Sequence, residues 1–224
     1  MVSSKSLWPV LVFGLSVPAL AAEVYQDRTE FLSAVAPGYY LETFDTDLQM
    51  MQAGNEVVLG PTNGFSYKIT SADILYYWGS DFSSLSSDTM GADHPFSAVV
   101  FDLSSSPVTA FGGTLFLTDL NFSSVVWGSL LVELNDGTSI SLYEPFESSF
   151  LGFTSDTPIT SVTLTPSGGG FLDQEPYVTF DDVIAGTVLP EPASLLLFVL
   201  GVGLLRGECR RWWGGERVSG SSQG

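Results

Sequence analysis

The chain has 224 residues, of which 7 are Lys or Arg and 25 are Asp or Glu, so its net charge is −18 at neutral pH. The length suits one all-β domain, and a hydrophobic content of 45% is enough for a buried core. An acidic chain of this kind argues against nucleic acid as a partner and disfavours anionic lipid headgroups, because both would repel it.

The first 21 residues have the pattern of a secretory signal peptide. Lys5 supplies the positive start, residues 7–17 form the apolar stretch, and Ala19-Leu20-Ala21 is the small-x-small cleavage site. A transmembrane anchor is the alternative, but the run is short and ends in a processing site. We therefore expect export through the general secretory route and a mature chain that opens at Ala22 or Glu23.

Residues 22–188 are predicted to form one extracellular β-sandwich domain. The capping-box pattern Asp27-Arg28-Thr29-Glu30 predicts one short helix that ends at Pro37-Gly38. About nine or ten short strands follow. They are residues 65–70, 73–78, 98–102, 108–118, 125–134, 138–143, 150–154, 159–165 and 177–185. Asn135-Asp136-Gly137 predicts a hairpin turn, and residues 83–89 and 167–173 predict exposed loops.

Catalytic groups are few in this domain. His94 is its single histidine, the single cysteine is Cys209 outside the domain, and no serine lies in a Gly-x-Ser-x-Gly motif. Paired carboxylates can serve a glycosidase, but no pair stands out among the acids. We therefore expect no enzyme activity and no catalytic residue, with a secreted hydrolase as an alternative.

Aromatic residues are plentiful, and Tyr76-Tyr77-Trp78 is the densest run. Alternate residues of a strand face opposite sides, so part of this run must point away from the core. An exposed patch at Tyr77 and Trp78 that stacks on a glycan is one hypothesis. Packing in the core is the competing explanation, because it accounts for most aromatic side chains in a sandwich.

Residues 189–211 have the features of a sorting and anchoring signal. Pro190-Glu191-Pro192 blocks a helix before the apolar run of residues 193–205. As a helix this run spans roughly 20 Å, less than a bilayer core of about 30 Å, so it predicts a weak transmembrane span. Three arginines follow it and predict a cytoplasmic C-terminus: Arg206, Arg210 and Arg211. An ordinary single-pass anchor is the alternative.

This C-terminal segment resembles the PEP-CTERM sorting signal of exosortase-processed proteins, which also begin with a signal peptide. The resemblance implies that Pro190, Glu191 and Pro192 are recognised by a membrane-embedded cysteine peptidase and that the arginines stop transfer. The chain departs from the family pattern in two places. Glu208 and Cys209 interrupt the arginines, and residues 212–224 extend beyond them as a tail predicted to be disordered.

The domain also resembles, through loose motifs, a common extracellular domain of PEP-CTERM proteins. The motifs are a strand at residues 41–45, the stretch 150–164 and a closing strand at 177–183. The resemblance implies a jelly-roll-like sandwich similar to carbohydrate-binding modules and without enzyme activity. In related modules an acid near the first strand and one on the last share a structural calcium, and the matching positions here are Asp45 and Asp181.

Calcium is also the cofactor that the composition favours, because acids are abundant and calcium prefers oxygen ligands. An EF-hand is rejected, because Met50 stands where the loop that would start at Asp45 needs glycine. No cofactor is required by the sequence. Expected partners are the exosortase-type peptidase, the inner membrane before processing, and extracellular polysaccharide of a biofilm. A carbohydrate-binding module is the first alternative to a structural surface or matrix role.

Overall fold

The computed structural model describes residues 22–45, 50–80, 85–125, 127–168 and 175–190. Within these ranges the chain forms one helix and twelve strands, and every strand pairing is antiparallel. The predicted all-β class is confirmed. No helix among the described residues is long and apolar enough to cross a membrane. The predicted signal peptide, the apolar run 193–205 and the tail 212–224 lie outside these residues.

The elements follow one another in this order: β1 (Glu23–Tyr25), α1 (Arg28–Ala34), β2 (Tyr40–Glu42), β3 (Met50–Thr62), β4 (Phe65–Trp78), β5 (Thr89–Ala92), β6 (Val99–Asp102), β7 (Ala110–Thr118), β8 (Ser129–Leu134), β9 (Ser139–Tyr143), β10 (Phe150–Thr154), β11 (Ser161–Ser167) and β12 (Tyr177–Gly186). Hydrogen bonding orders them as β1-β10-β7-β12-β5-β4-β6-β11-β8-β9, with β2 beside β12 and β3 beside β4.

The helix α1 begins where the capping-box pattern predicts. The Asp27 carboxylate accepts a hydrogen bond from the Glu30 amide at 2.9 Å, which satisfies a free N–H at the helix start. Phe31 is fully buried and packs on Phe150 with 5.5 Å between ring centroids. This packing requires Gly152, because a Cβ there would lie 2.5 Å from the Phe31 ring. The helix is therefore held against β10.

The long strand β4 belongs to two halves of a curled sheet. One side of β4 pairs with β3, while the other side pairs with β6 near its start and with β5 near its end. The β3–β4 register breaks between these regions. The pairs on either side of the break are Gly54↔Leu75 and Glu56↔Thr70, so four residues of β4, 71–74, lie opposite a single residue of β3, Asn55. β4 therefore carries the chain from one half of the sheet to the other.

The core lies between these two halves. Phe101 of β6 packs on Phe111 of β7 and Phe180 of β12, with ring centroids 5.1 and 5.0 Å apart. β11 alternates between two faces, because Val162 and Leu164 are fully buried while the Ser and Thr residues beside them are half-buried. Burial of apolar side chains from both halves stabilises the closed arrangement.

A β-bulge interrupts β12 at Asp181 and Asp182. The register against β7 runs to Asp181↔Thr114 and resumes at Ile184↔Gly112, so β12 has one residue more than its partner. Phe180 before the bulge and Val183 after it both belong to the core. The extra residue thus keeps apolar side chains on the core face, and it leaves Asp181 on the opposite face.

Some sequence predictions near β4 are wrong. Residues 65–70 and 73–78 form one strand rather than two, and β3 was not predicted at all. The expected exposed loop at 83–89 contains Leu85 and Thr89, which are 6% and 1% exposed.

The predicted turn at Asn135-Asp136-Gly137 is confirmed by the positive φ of Gly137, +88°, between β8 and β9. Most of the predicted loop at 167–173 lies outside the described residues.

Candidate functional site

Asp181 lies at a junction where two strands share one side of β12. β2 pairs with Val183–Ala185, and β5 pairs with Thr179 and Phe180. The bulge at Asp181 and Asp182 occupies the gap between these two pairings. Asp45 is near the same junction, because it follows β2 by three residues and β2 pairs with β12.

The Asp181 carboxyl group is buried and hydrogen-bonded. Its residue is 7% exposed, the Ser87 hydroxyl donates to Oδ2 at 2.6 Å, and the Asp182 amide donates to Oδ1 at 2.6 Å. Asp182 has a left-handed φ of +51°, and its own carboxylate pairs with Arg28 Nη1 at 2.6 Å. The bulge therefore separates the roles of two adjacent acids: one is buried, and the other forms an ion pair with α1.

Asp45 contributes negative charge to the same junction. It is exposed, and the Thr43 hydroxyl donates to its Oδ2 at 2.7 Å. Burial is the main cause that raises the pKa of Asp181 to about 6. The negative charges of Asp182 and Asp45 add to this effect, and the hydrogen bonds from Ser87 and the Asp182 amide oppose it. The two predicted calcium ligands thus lie at the same strand junction, and the charge of Asp45 is the weakest of the influences on the Asp181 pKa.

Thr89 is a further oxygen group at this junction. The pairs Thr179↔Gly91 and Phe180↔Met90, continued by one residue, place Thr89 opposite Asp181. Thr89 is 1% exposed, and its hydroxyl has no hydrogen-bond partner among the described residues. Sequence reasoning missed both Ser87 and Thr89, because residues 83–89 were interpreted as a solvent loop. The short β-branched and apolar run Thr89-Met90 was the signal that pointed to a strand.

The donor set at the junction fits a hard cation. Calcium takes roughly six to eight oxygen ligands, and carboxylates, hydroxyls and water all serve. Within the described residues, no group of three or more His, Cys, Asp or Glu side chains is arranged to hold a metal. A calcium ion here would therefore be held by two carboxylates, Asp45 and Asp181, with the hydroxyls of Ser87 and Thr89 and with water.

Tyr77 and Trp78 do not form a shared exposed surface in the structure. Trp78 is 1% exposed, and its ring lies 4.4 Å from the Phe122 ring. Tyr77 is half-buried, packs on Phe44 with 6.1 Å between centroids, and points to the core. The glycan-stacking hypothesis is therefore corrected for Trp78, because a covered indole has no free ring face to offer a sugar.

His94 lies on an exposed loop between β5 and β6, as its sequence context suggested. Its Nδ1 is 3.1 Å from the carbonyl oxygen of Pro95. His94 also contributes to the wall of a cleft beside β3 and β4.

The sorting residues lie at the end of the described chain. Pro190 is exposed. The other residues of the predicted signal lie outside the described residues: Glu191, Pro192, Arg206, Arg210 and Arg211.

No protein-family model matches the chain, and no curated protein matches it.

Proposed function

We propose that the chain is an exported, non-enzymatic bacterial surface or matrix protein, sorted by an exosortase-type system and associated with extracellular polysaccharide. The observation that carries this proposal is that Pro190, the first residue of Pro190-Glu191-Pro192, is exposed directly after the residues that bind the domain at Val188 and Leu189. A sorting peptidase needs its recognition sequence outside a folded core, because a buried segment is inaccessible to cleavage.

Among the described residues, the last tertiary contacts come directly before that motif. Val188 bridges to Val35 and its amide donates to Thr109 Oγ1 at 2.9 Å, while the Leu189 amide donates to the Ala34 carbonyl at 2.8 Å. Pro190 is already exposed. This arrangement supports a sorting signal that starts where the fold ends.

The opposite end of the domain agrees with the same proposal. β1 begins at Glu23, immediately after the predicted cleavage site, and Ala22 is 9% exposed and packs in the core. The proposed mature chain would therefore begin with the folded domain. We also propose that the curled sheet is a jelly-roll-like sandwich, since β4 joins two halves that enclose one core.

Processing is tested by mass spectrometry of the protein recovered from the cell surface. We expect its C-terminal peptide to end at or near Pro190-Glu191-Pro192 and to lack Arg206. Glu191→Ala should leave the full-length chain in the membrane fraction, because it removes the charged centre of the motif. Glu133→Ala, on the exposed face of β8, is the matched control. Surface protein that retains residues 206–224 would contradict the proposal.

A structural calcium at the strand junction is a second proposal. It is favoured by the buried Asp181 carboxyl group and by the unpartnered Thr89 hydroxyl on the neighbouring strand, with Asp45 following the other strand of the junction. Calcium at about a hundredfold excess over its Kd should raise the melting temperature by about 5–10 °C, because it binds only the folded state. Asp181→Asn and Asp45→Asn should each abolish this rise. Asp136→Asn, in the β8–β9 turn, should retain it. Equal melting temperatures in calcium and in EGTA would reject the site.

A further inference from the structure

A cleft of about 420 Å³ opens where β4 passes between the two halves of the sheet. Its polar lining comes from three segments: Gln52 and Asn55 of β3, Asp73 of β4, and Asp93 and His94 after β5. The register break at residues 71–74 creates the opening, because those residues have no matching run on β3. The Asp93 amide donates to the Ile74 carbonyl at 2.8 Å and fixes the loop against β4. The volume lies within the range of small-molecule sites, about 300–1,000 Å³.

The lining has the chemistry of a site for hydroxyl groups. Two carboxylates accept hydrogen bonds, two carboxamides both donate and accept, and an imidazole does either. Asp73 is oriented by the Ser97 hydroxyl, which donates to its Oδ2. These side chains come from segments that are anchored in the sheet or hydrogen-bonded to it, so the groups are held in place before a ligand arrives.

Tyr76 follows the cleft-lining residue Ile74 by two positions on β4. It is the direct cross-strand partner of Gln52 on β3, so the two side chains lie on one face of the sheet. That face is opposite to the core, because the flanking residues Leu75 and Tyr77 point to the core. Tyr76 is half-buried and is therefore more accessible than Trp78, which is 1% exposed. The aromatic run therefore does present a ring outward, from its first residue.

The charge and the hydrogen-bonding groups of the cleft lining restrict which ligands can bind. Asp73 and Asp93 repel phosphates, sulfates and uronic acids, as does a chain with a net charge of −18. The lining is too polar for a hydrocarbon, and no cluster of three metal-ligating side chains occurs in the described ranges. Groups that donate and accept hydrogen bonds beside an aromatic ring match the hydroxyls and the apolar face of a sugar.

We infer that this cleft, with Tyr76 at its side, binds a saccharide that carries no acidic groups. The inference rests on the proposed association with polysaccharide and specifies its site and its ligand class. It assigns sugar binding to Tyr76 and the residues around Asp93, in place of the Tyr77 and Trp78 that the sequence analysis named. The open side of the cleft admits a segment of a longer glycan chain.

The test uses the full chain, purified in detergent, on an array of neutral, amino-sugar and uronic-acid oligosaccharides. Binding is expected to neutral or amino-sugar members and not to uronic acids. For a bound oligosaccharide, Tyr76→Ala and Asp93→Asn should each raise Kd by about tenfold or more. Tyr143→Ala removes an 80% exposed tyrosine from β9, and Asp136→Asn removes an acid from the β8–β9 turn. These two matched controls should leave Kd unchanged.

Thermal melting of each variant identifies any that fail to fold, and Gln52→Ala replaces such a variant as a second probe of the cleft. The inference is overturned if no neutral or amino-sugar glycan binds, if uronic acids bind equally well, or if the controls weaken binding as much as the cleft variants. Failure of C-terminal processing leaves these outcomes unaffected, so this experiment and the sorting experiment fail independently.

Discussion

Replacing Asp181 by Asn is expected to raise the free energy of unfolding at pH 7 in metal-free buffer by up to about 3 kcal/mol. Burial raises the pKa of Asp181 from 3.8 to about 6, so the folded state prefers the neutral carboxyl group. At pH 7 the wild-type group is ionised, and the folded state bears the cost of a buried charge. Asn keeps the shape without that charge: its oxygen can accept from the Asp182 amide, and its NH2 group can donate to the Ser87 hydroxyl, which then acts as the acceptor.

The pH dependence follows from the same shift. A folded-state pKa above the unfolded value gives stability that is complete below about pH 4 and is lost as the pH rises through about 6. Urea denaturation of wild type and Asp181→Asn, in EGTA across this window, should give curves that diverge as the pH rises. Asp45→Asn, at an exposed position, is the comparison and should change stability less. Parallel curves for wild type and Asp181→Asn would refute the assignment.

Calcium should reverse which of these two proteins, wild type or Asp181→Asn, is the more stable. A cation beside Asp181 stabilises the ionised carboxylate, so saturating calcium should favour the wild type and leave Asp181→Asn unchanged. The same two proteins therefore test both the buried charge and the cation site. A destabilised Asp181→Asn in metal-free buffer would show that its carboxylate is held mainly by the Ser87 and Asp182 hydrogen bonds.

The second large effect is expected for Trp78→Ala, which should lower the free energy of unfolding by about 3–5 kcal/mol. The indole is 1% exposed and packs on Phe122, and β5 has glycine at position 91 because a Cβ there would lie 2.6 Å from the indole ring. Truncation leaves a cavity that rigid strands cannot fill. Urea denaturation with an unchanged m-value measures the loss.

Tyr76→Ala is the matched comparison, because it removes another large aromatic side chain two residues away on the same face. Tyr76 is only half-buried, so the loss should stay below about 2 kcal/mol. A similar loss of unfolding free energy in Trp78→Ala and Tyr76→Ala would contradict the expectation that burial sets the size of the effect. Glycan binding lost in Trp78→Ala would accordingly report on folding, whereas binding lost in Tyr76→Ala would report on the cleft.

Local patterns predicted the parts of the fold that depend on neighbouring residues. The Asp27 cap, the Asn135-Asp136-Gly137 turn and the alternation in β11 are set by hydrogen bonds and side-chain periods within a few residues. β3 escaped prediction because its glycines at 54 and 60 and its Pro61 are typical of loops. Pairing with β4 over most of its length overrides those weak local preferences.

Composition and short-range periodicity were enough to predict the all-β class, the start of α1 and the acidic character of the chain. They could not predict that Asp181 is buried beside Ser87, that Trp78 is covered by Phe122, or that Tyr76 shares a sheet face with Gln52 of the cleft. Each of these depends on which strands pair and where a bulge shifts the register. Alternation assigns side chains to two faces, but the long-range order of strands decides which face is covered.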